Sequence, residues 1–339
     1  MELRTYALDL ELKDPFRISH SSRNVQPTLI VELKHGEFTG YGEAAATSYY
    51  GMSTKEMSRQ VEKVIPVLSE NIHKTPEEIW QITAPYFKDN SFAQCALDIA
   101  VHDLYGKTKS MPLYKIWGLE LINLPVSNYT IGLGSVEEMV QKMTNFPWPL
   151  YKIKLGTNED VQIVKELRKH TNAAFRVDAN CAWTAEETIK NAVLLKDLNV
   201  EFLEQPLPKD DFDGMKKVFK ESVLPVIADE SCIAEADVRK CAGYFHAINI
   251  KLTKCGGLTP ARRMIAEAKS LGLKVMVGCM TESTVGISAI AHLLPLLDYV
   301  DMDGALLLKN DIAEGVKLKD GKVHFPERNG TGAKLIKFT

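Results

Sequence analysis

The spacing of hydrophobic and polar residues divides the chain into two regions with different periods. Over residues 1–43 apolar positions alternate with polar ones, as in Leu8–Leu12, and this period of two predicts β-strands. The stretch Ser91–Gly106 instead repeats apolar residues every three or four positions, which predicts a helix that ends at its glycine. We therefore expect residues 1–120 to form an α+β domain of their own.

Two polar segments in this region predict loops. One runs from Pro15 to Pro27 and contains His20 and Arg23, and the other covers Thr47 to Met52 and contains Tyr50. Loops of this composition can cover a functional site, although most are plain surface. We expect His20 to be a loop residue rather than a catalytic base.

From Leu124 onward, short apolar runs alternate regularly with helical patterns. Charged residues end these runs at nearly even intervals, and each interval is about the length that a strand, a helix and two loops require. Seven or eight such units predict a closed parallel α/β barrel over residues 121–304. The segment 305–339 contains a hairpin pattern and is expected to pack back on the N-terminal domain. Successive intervals of 24, 26, 25 and 22 positions separate Lys154, Asp178, Glu204, Asp229 and Lys251.

Composition narrows the functional classes. The 339 residues are 45% hydrophobic with a formal net charge of −3, so no basic field is available to hold nucleic acid. No run of 18 apolar residues predicts a membrane span. Neither a GxGxxG nor a P-loop follows a strand, which argues against an open nucleotide-binding sheet. Six cysteines without paired spacing, and a start without a signal-peptide pattern, predict a cytoplasmic protein.

Three acidic residues end consecutive predicted strands. In a parallel barrel the carboxyl ends of the strands meet at one face, so Asp178, Glu204 and Asp229 would converge there. A single acid at a strand end is as often a helix cap or a salt-bridge partner as a ligand. Three converging carboxylates repel one another and require a cation, and all-oxygen ligation suits Mg²⁺ or Mn²⁺ better than Zn²⁺.

Lysines lie on both sides of these acids. Lys154 and Lys251 end their strands, and Lys152 points to the same face as Lys154. Neighbouring positive charge and a divalent cation would lower the pKa of a lysine towards working pH. One lysine could then take a proton from an α-carbon and the other return it on the opposite face, with the metal stabilising the enediolate between. The pattern predicts racemisation or epimerisation.

Several motifs in combination resemble the muconate-lactonising-enzyme subgroup of the enolase superfamily, over nearly the whole chain. The resemblance implies an N-terminal α+β capping domain, completed by the C-terminal segment, over a modified TIM barrel of the (β/α)7β type. It also implies one Mg²⁺ per subunit, bound by the three acids. Lys154 and Lys251 would be the acid/base pair, with Lys152 assisting Lys154. A homo-oligomer is possible, because oligomers are common in the family. The motifs are Lys152-Ile153-Lys154, Val177-Asp178-Ala179-Asn180, Glu204-Gln205-Pro206-Leu207, Ala228-Asp229-Glu230-Ser231 and Asn249-Ile250-Lys251, with the helix around Ala96–Ala100.

One further motif selects among the activities of this subgroup. Asp301 and Asp303 lie on one face of the last predicted strand, outside the metal triad, where they suit a substrate ammonium group. Dipeptide epimerases of the family carry such a DxD motif for the free amino terminus. The resemblance therefore implies an isomerase that inverts the α-carbon of the C-terminal residue of L-Ala-Xaa dipeptides. A structural reading, in which the two acids are helix caps or surface residues, remains open.

The side-chain pocket for Xaa is less well defined by the sequence. Thr130 and Cys279 are expected to line it. The resemblance places Arg23 where some Ala-Glu epimerases have an arginine that meets the glutamate side chain, although the Ser22-Arg23 pair also occurs in subgroup members with other substrates. Tyr50 in the second loop instead suits an apolar side chain, so Xaa is hydrophobic or Glu. Glu282 could form a hydrogen bond near the site or cap the following helix.

Other functions fit parts of the pattern. An o-succinylbenzoate synthase or an N-succinylamino-acid racemase would use the same lysines on a substrate without an ammonium group. A muconate cycloisomerase would use the scaffold on a dicarboxylate. A Schiff-base aldolase would use Lys154 or Lys251 as a nucleophile without a metal. A binding protein with an inactive site is disfavoured, because the triad and both lysines are complete.

Overall fold

A computed structural model describes residues 1–18 and 21–336, so His20 lies outside the described residues. The N-terminal sheet is antiparallel, with its strands in chain order. They are β1 (Glu2–Ile18), β2 (Ser21–His35) and β3 (Phe38–Ala45).

The predicted loop between Pro15 and Pro27 is wrong, because the first two strands continue into it. The ladder is irregular between Glu11 and Phe16, and then Phe16 pairs with Arg23. The described side chains of the two arms are exposed or half-buried and none is fully buried, so their sequence lacks the alternation by which a strand is recognised. Arg23 therefore lies on a strand.

Helices cover one side of this sheet, and α4 packs directly on β3. A side chain at Gly42 would overlap the carbonyl group of Ala96, so this glycine allows the close approach. Gly106 does not end α4 as predicted; it is buried inside the helix against Gly330. The second predicted loop contains a 3₁₀ turn at Ser48–Tyr50. The helices are α1 (Thr54–Lys63), α2 (Ile65–Asn71), α3 (Pro76–Thr83), α4 (Ser91–Thr108) and α5 (Leu113–Ile116).

The rest of the chain builds a nearly closed barrel of parallel strands in chain order. Its strands are β4 (Tyr129–Ile131), β5 (Leu150–Lys154), β6 (Ala174–Asp178), β7 (Val200–Glu204), β8 (Val226–Ala228), β9 (Ala247–Lys251), β10 (Lys274–Gly278) and β11 (Tyr299–Asp301). The predicted fold class, a (β/α)7β barrel with an N-terminal α+β domain, is confirmed.

Helices surround the barrel and bury its outer face, with capping boxes at α6 and α8 as their sequences predict. They are α6 (Val136–Asn145), α7 (Asp160–Arg168), α8 (Ala185–Lys196), α9 (Phe212–Glu221), α10 (Glu235–Cys241), α11 (Leu252–Cys255), α12 (Leu258–Ser270) and α13 (Thr284–Ala291). Across the described part of the chain, no helix combines the length and the apolar character needed to cross a membrane.

The edge strands β4 and β11 meet at what we call the barrel seam. A backbone bridge joins Ser127 to Val300. Side chains supply further links: Ser127 Oγ accepts a hydrogen bond from the Met302 N–H at 3.1 Å, and Asp303 Oδ2 accepts one from the Thr130 N–H at 2.5 Å. The barrel is therefore closed at this point largely by polar side chains.

The C-terminal segment returns to the N-terminal domain. Leu12 pairs with Leu308, and Thr331 donates hydrogen bonds to the buried Asp103 of α4. The predicted hairpin is present, and its turn at Asp320–Gly321 has positive φ angles of 49° and 73°. The strands are β12 (Ala313–Glu314), β13 (Lys317–Lys319), β14 (Lys322–His324) and β15 (Lys334–Leu335).

Candidate active site and metal centre

The three acids predicted to hold a metal come together at the carboxyl ends of the barrel strands. Asp178 ends β6 and pairs in register with Glu204, which ends β7, and Asp229 directly follows β8. Carboxylate oxygens of all three lie within 4.8 Å of one another, and all three residues are buried. The side chains are therefore placed as the sequence predicts.

The electrostatics of this group indicate a surplus of negative charge. Burial raises the pKa of Glu204 to about 7, and the charge of Asp178 contributes to the same shift. Burial alone would also raise the pKa of Asp178 and Asp229. Neighbouring lysines outweigh it in both cases, and the two values lie below their ordinary range. The positive charges of the lysines thus neutralise the negative charge of the three carboxylates only in part.

The donor set fits a hard divalent cation such as Mg²⁺. It consists of carboxylate oxygens alone, which is the ligation that Mg²⁺ prefers. Glu204 Oε1 accepts a hydrogen bond from Asn249 Nδ2 at 2.8 Å. Its Oε2 lies 2.7 Å from Lys152 Nζ but has no aligned hydrogen-bond donor among the described residues. A buried, poorly satisfied carboxylate oxygen at the centre of the triad is what a cation would bind.

The predicted lysines contact the same acids. Lys154 Nζ donates to Asp178 Oδ2 at 2.6 Å, and Lys251 Nζ donates to Asp229 Oδ2 at 2.8 Å. Lys152 Nζ lies 3.1 Å from Asp178 Oδ2, so the two lysines of the Lys152-x-Lys154 motif share one carboxylate oxygen. The lysines therefore occupy both sides of the triad.

The expected lowering of lysine pKa does not arise from the protein groups. Burial alone would lower the pKa of Lys152, but Asp301, Glu204 and Asp178 raise it well above its ordinary value. The pKa of Lys251 is raised in the same way, chiefly by Asp229 against the effect of burial. Acids outnumber lysines here, so any lowering would have to come from a bound cation.

Asp301 and Asp303 lie next to this group at the barrel seam. Asp301 Oδ2 is 2.9 Å from Lys152 Nζ, and its Oδ1 accepts a hydrogen bond from Asn128 Nδ2 at 2.8 Å. Asp303 accepts from the backbone N–H and the hydroxyl group of Thr130. Burial raises the pKa of Asp303 to about 8, with the charge of Asp301 as the next cause. The pair is buried, so the reading as surface acids is wrong.

A cavity of about 860 Å³ connects these groups, and residues of the N-terminal domain form part of its wall. Asp229, the Asp301/Asp303 pair and all three predicted lysines, Lys152, Lys154 and Lys251, line it. So do the predicted pocket residues Thr130, Arg23, Cys279 and Tyr50, together with Phe16, Tyr49, Met52, Asn180, Glu230 and Met280.

Arg23 and Glu282 differ in their hydrogen-bond partners and in their position relative to the cavity. Arg23 donates to Thr281 Oγ1 at 3.2 Å and forms no ion pair with any described residue, so its guanidinium is available to an anion. Glu282 does not line the cavity itself, but it accepts a hydrogen bond at 2.7 Å from the N–H group of Met280, which does. It does not cap α13 either, since Ser283 is the N-cap and Glu43 accepts the N–H groups of Ser283 and Gly286.

Sequence reasoning missed residues that organise the triad. Lys254 is buried and donates to Asp229 Oδ1 at 2.6 Å. Gln205 accepts the N–H groups of Asp229 and Ser231 on its side-chain oxygen, and so ties the loop after β7 to the loop after β8. Lys254 follows Lys251 at a spacing of three, and Gln205 follows Glu204 directly; these positions were the available signals.

Comparison with known proteins agrees with this geometry. The family model described as "Mandelate racemase / muconate lactonizing enzyme, N-terminal domain" matches residues 1–118. The family model described as "Enolase C-terminal domain-like" matches residues 135–337. An L-Ala-D/L-amino acid epimerase of Flavobacterium johnsoniae is 58% identical over 98% of this chain and 99% of its own length. One of Maribacter sp. is 57% identical over 99% of each.

Solved structures give the same result. The dipeptide epimerase of Enterococcus faecalis V583, complexed with Mg and the dipeptide L-Leu-L-Tyr, superposes with a TM-score of 0.90 at 29% identity and covers 98% of both chains. Fold, motifs and relatives thus agree over the full length of the sequence. The chain belongs to the mandelate racemase/muconate lactonizing enzyme family, with a C-terminal domain of the enolase type, as its motifs predict.

Proposed function

We propose that this protein is a Mg²⁺-dependent dipeptide epimerase that inverts the α-carbon of the C-terminal residue of L-Ala-Xaa dipeptides. The observation that carries the proposal is the presence, in one cavity, of a three-carboxylate centre between two lysines and of a separate buried acid pair. The relatives named as L-Ala-D/L-amino acid epimerases, at 58% and 57% identity, support it.

The carboxylates of Asp178, Glu204 and Asp229 would hold the cation. Bound Mg²⁺ supplies positive charge that stabilises the negative charge on the substrate's terminal carboxylate as the α-proton leaves. The remaining chemistry belongs to side chains of this chain.

Lys154 and Lys251 are the acid and the base. They end β5 and β9, with three strands between them, and both reach the cavity. A substrate α-carbon held between them loses its proton to one lysine and receives a proton from the other, which inverts the centre. Lys152 assists Lys154 electrostatically, because the two share Asp178 Oδ2.

Asp301 and Asp303 bind the free amino terminus. Two buried carboxylates in contact repel each other, and an ammonium group between them relieves that repulsion. An N-acylated substrate lacks the charge for this role. The acid pair therefore favours a dipeptide over N-succinyl amino acids, o-succinylbenzoate precursors and muconate.

The Xaa side chain lies in the part of the cavity formed with the N-terminal domain. Tyr50, Met52 and Met280 give that part apolar walls, and Arg23 adds one cation without a described ion-pair partner. Cys279 and Thr130 complete the lining near the acid pair. The pocket accommodates hydrophobic side chains, and Arg23 extends its range to Glu.

Domain division and cellular setting belong to the same proposal. We divide the chain into a capping domain (1–120), a barrel (121–304) and a segment (305–339) that completes the capping domain, on the contacts between Leu12 and Leu308 and between Asp103 and Thr331. All six cysteines are free thiols, which supports a cytoplasmic location. Light scattering after size exclusion would decide whether the enzyme is a homo-oligomer.

The deciding experiment is α-proton exchange followed by NMR in D₂O with Mg²⁺. The panel is L-Ala-L-Glu, L-Ala-L-Val, L-Ala-L-Phe and, as the control without an ammonium group, N-succinyl-Phe. Deuterium should enter the C-terminal residue of the dipeptides, and EDTA or Lys154→Ala should abolish it. Exchange in the N-succinyl compound alone would contradict the dipeptide assignment while keeping the two-lysine mechanism.

A further inference from the structure

We propose that Asn128, held by Arg176, is a positioning residue that orients Asp301 towards the ammonium group of the substrate. The inference rests on the proposed function, because it concerns how the dipeptide's amino terminus is bound. Asn128 and Arg176 are buried and do not line the cavity, so we place neither in contact with the substrate. Whatever they contribute reaches the substrate through Asp301.

The orientation of the Asn128 amide is determined by its two partners. Its Oδ1 accepts a hydrogen bond from Arg176 Nη1 at 3.1 Å, and its Nδ2 donates to Asp301 Oδ1 at 2.8 Å. A guanidinium can only donate, and a carboxylate can only accept. A flipped amide would lose both hydrogen bonds at once, so the donor must face Asp301.

Arg176 is itself rigidly held inside the barrel. Its Nη1 also donates to the carbonyl oxygen of Val300 at 2.7 Å, and its Nε pairs with Glu201 at 2.9 Å. The guanidinium lies 5.1 Å from the ring centre of Phe202 and 5.5 Å from that of Tyr299. Arg176 thereby reaches from β6 to both strands of the barrel seam and fixes Asn128 from below.

Asp301 is consequently clamped on both oxygens. Asn128 holds Oδ1, and Lys152 Nζ lies 2.9 Å from Oδ2. Of these two partners only Lys152 lines the cavity, as do Asp301 itself and Asp303, which also contacts the Asp301 carboxylate. Asn128 thus holds Asp301 from outside the cavity wall, and without it the carboxylate would be free to rotate towards Lys152. The acid would then be displaced from the ammonium group.

The test compares ligands with and without that ammonium group. Calorimetry with Mg²⁺ measures the dissociation constants of Ala-Glu and Ala-Phe, each supplied as its epimer mixture, and of their N-acetylated forms. For each dipeptide, the dissociation constant of the acetylated form divided by that of the free form isolates the contribution of the ammonium group. In Asn128→Leu this ratio should fall about tenfold, as expected for the loss of a hydrogen bond to a charged group, while Mg²⁺ affinity stays unchanged.

Two further variants make the result specific. Asn128→Ala carries no side-chain group that can donate to Asp301, so it should lower the ratio even if the leucine variant fails to fold. Ser127→Ala removes the seam hydrogen bond to the Met302 N–H without touching Asp301, and should keep the native ratio.

Each contrary outcome has its own meaning. If free and acetylated dipeptides weaken equally in the Asn128 variants, the residue is merely structural and the inference is wrong. If the ratio falls equally in Ser127→Ala, general loosening of the seam is responsible, and the inference is again wrong. If the native protein does not distinguish the two ligands, ammonium recognition itself fails, and the proposed function with it.

Discussion

Lys254 Nζ lies 2.6 Å from Oδ1 of Asp229 and 2.6 Å from the backbone oxygen of the same residue, with its side chain fully buried. The other oxygen of that carboxylate is taken by Lys251. Asp229 is therefore held by two cations, only one of which reaches the cavity. Lys254 is a structural anchor of the acid triad.

Replacing this anchor should destabilise the fold. Lys254→Met leaves one carboxylate oxygen and two carbonyl oxygens, of Asp229 and Cys232, without their donor in the interior. Loss of one partner from a buried pair costs about 3–5 kcal/mol. Urea unfolding in EDTA measures the effect.

Lys217 provides the matched control. It pairs with Glu186 at 2.7 Å, but at the surface, where such pairs contribute at most about 1 kcal/mol. Lys217→Met should therefore leave the urea midpoint almost unchanged. Equal losses in the two variants would show that Lys254 is not buried as described.

Magnesium should stabilise the protein through the acid triad. A ligand that binds only the folded state at about 100 times its dissociation constant adds roughly 2.7 kcal/mol. Mg²⁺ should thus raise the thermal unfolding midpoint by several degrees, and Glu204→Gln should remove most of that rise. Asp303→Asn, which lies in the same cavity but outside the triad, should keep it. A full rise in Glu204→Gln would place the metal elsewhere.

Arg23 should matter for acidic substrates and little for apolar ones. A charged hydrogen bond contributes about 1.5–3 kcal/mol, which corresponds to roughly 10- to 100-fold in kcat/KM. Arg23→Met should lower kcat/KM for Ala-Glu by that factor and for Ala-Phe by less than about threefold. Thr281→Val, which removes the hydrogen-bond partner of Arg23, serves as the control. An equal loss on both substrates would indicate a purely structural role.

The acid pair should give the reaction a pH dependence. Burial, and then the charge of Asp301, raises the pKa of Asp303 to about 8, so this group gains a proton as pH falls below that value. A neutral Asp303 cannot balance the ammonium group, so kcat/KM for the dipeptide should fall with pH on this side. Above about pH 8 the substrate amine loses its own proton, and kcat/KM should fall again.

Asp303→Asn tests this assignment, because it removes the titrating group. The variant should be less active at its optimum, and the acid limb near pH 8 should disappear from a profile of kcat/KM against pH. A limb that persists unchanged in Asp303→Asn would assign it to another group.

Much of the barrel and its site could be predicted because charged residues end several consecutive apolar strands, and this combination has few purely structural explanations. Asp178 and Glu204 are examples: each follows a buried run, and both lie at the carboxyl end of a parallel strand. Parallel topology then brings residues that are distant in sequence to one face. The clustering of the three acids and the two lysines at one face follows from that rule.

Features that depend on tertiary contacts could not be predicted in this way. Lys254 has the spacing of an exposed helical lysine, and only the short α11 turns it back under Asp229. The ribbon around Phe16 and Arg23 lacks a buried face, so its sequence looks like a loop. Gly106 looks like a helix stop, whereas its role is to admit the backbone at Gly330.

The barrel seam also links recognition to the completion of folding. Thr130 and Asp303 are 173 residues apart, so the proposed pocket for the amino terminus forms only after the last barrel strand has docked beside the first. Closing so long a loop is costly in entropy, and contacts across it form late. A nascent or truncated chain ending before β11 would carry the three acids and both lysines but would lack the acid pair on which the proposed recognition of the ammonium group depends. A dipeptide bound as we propose, by bridging β5, β9 and β11, would in turn hold the barrel closed.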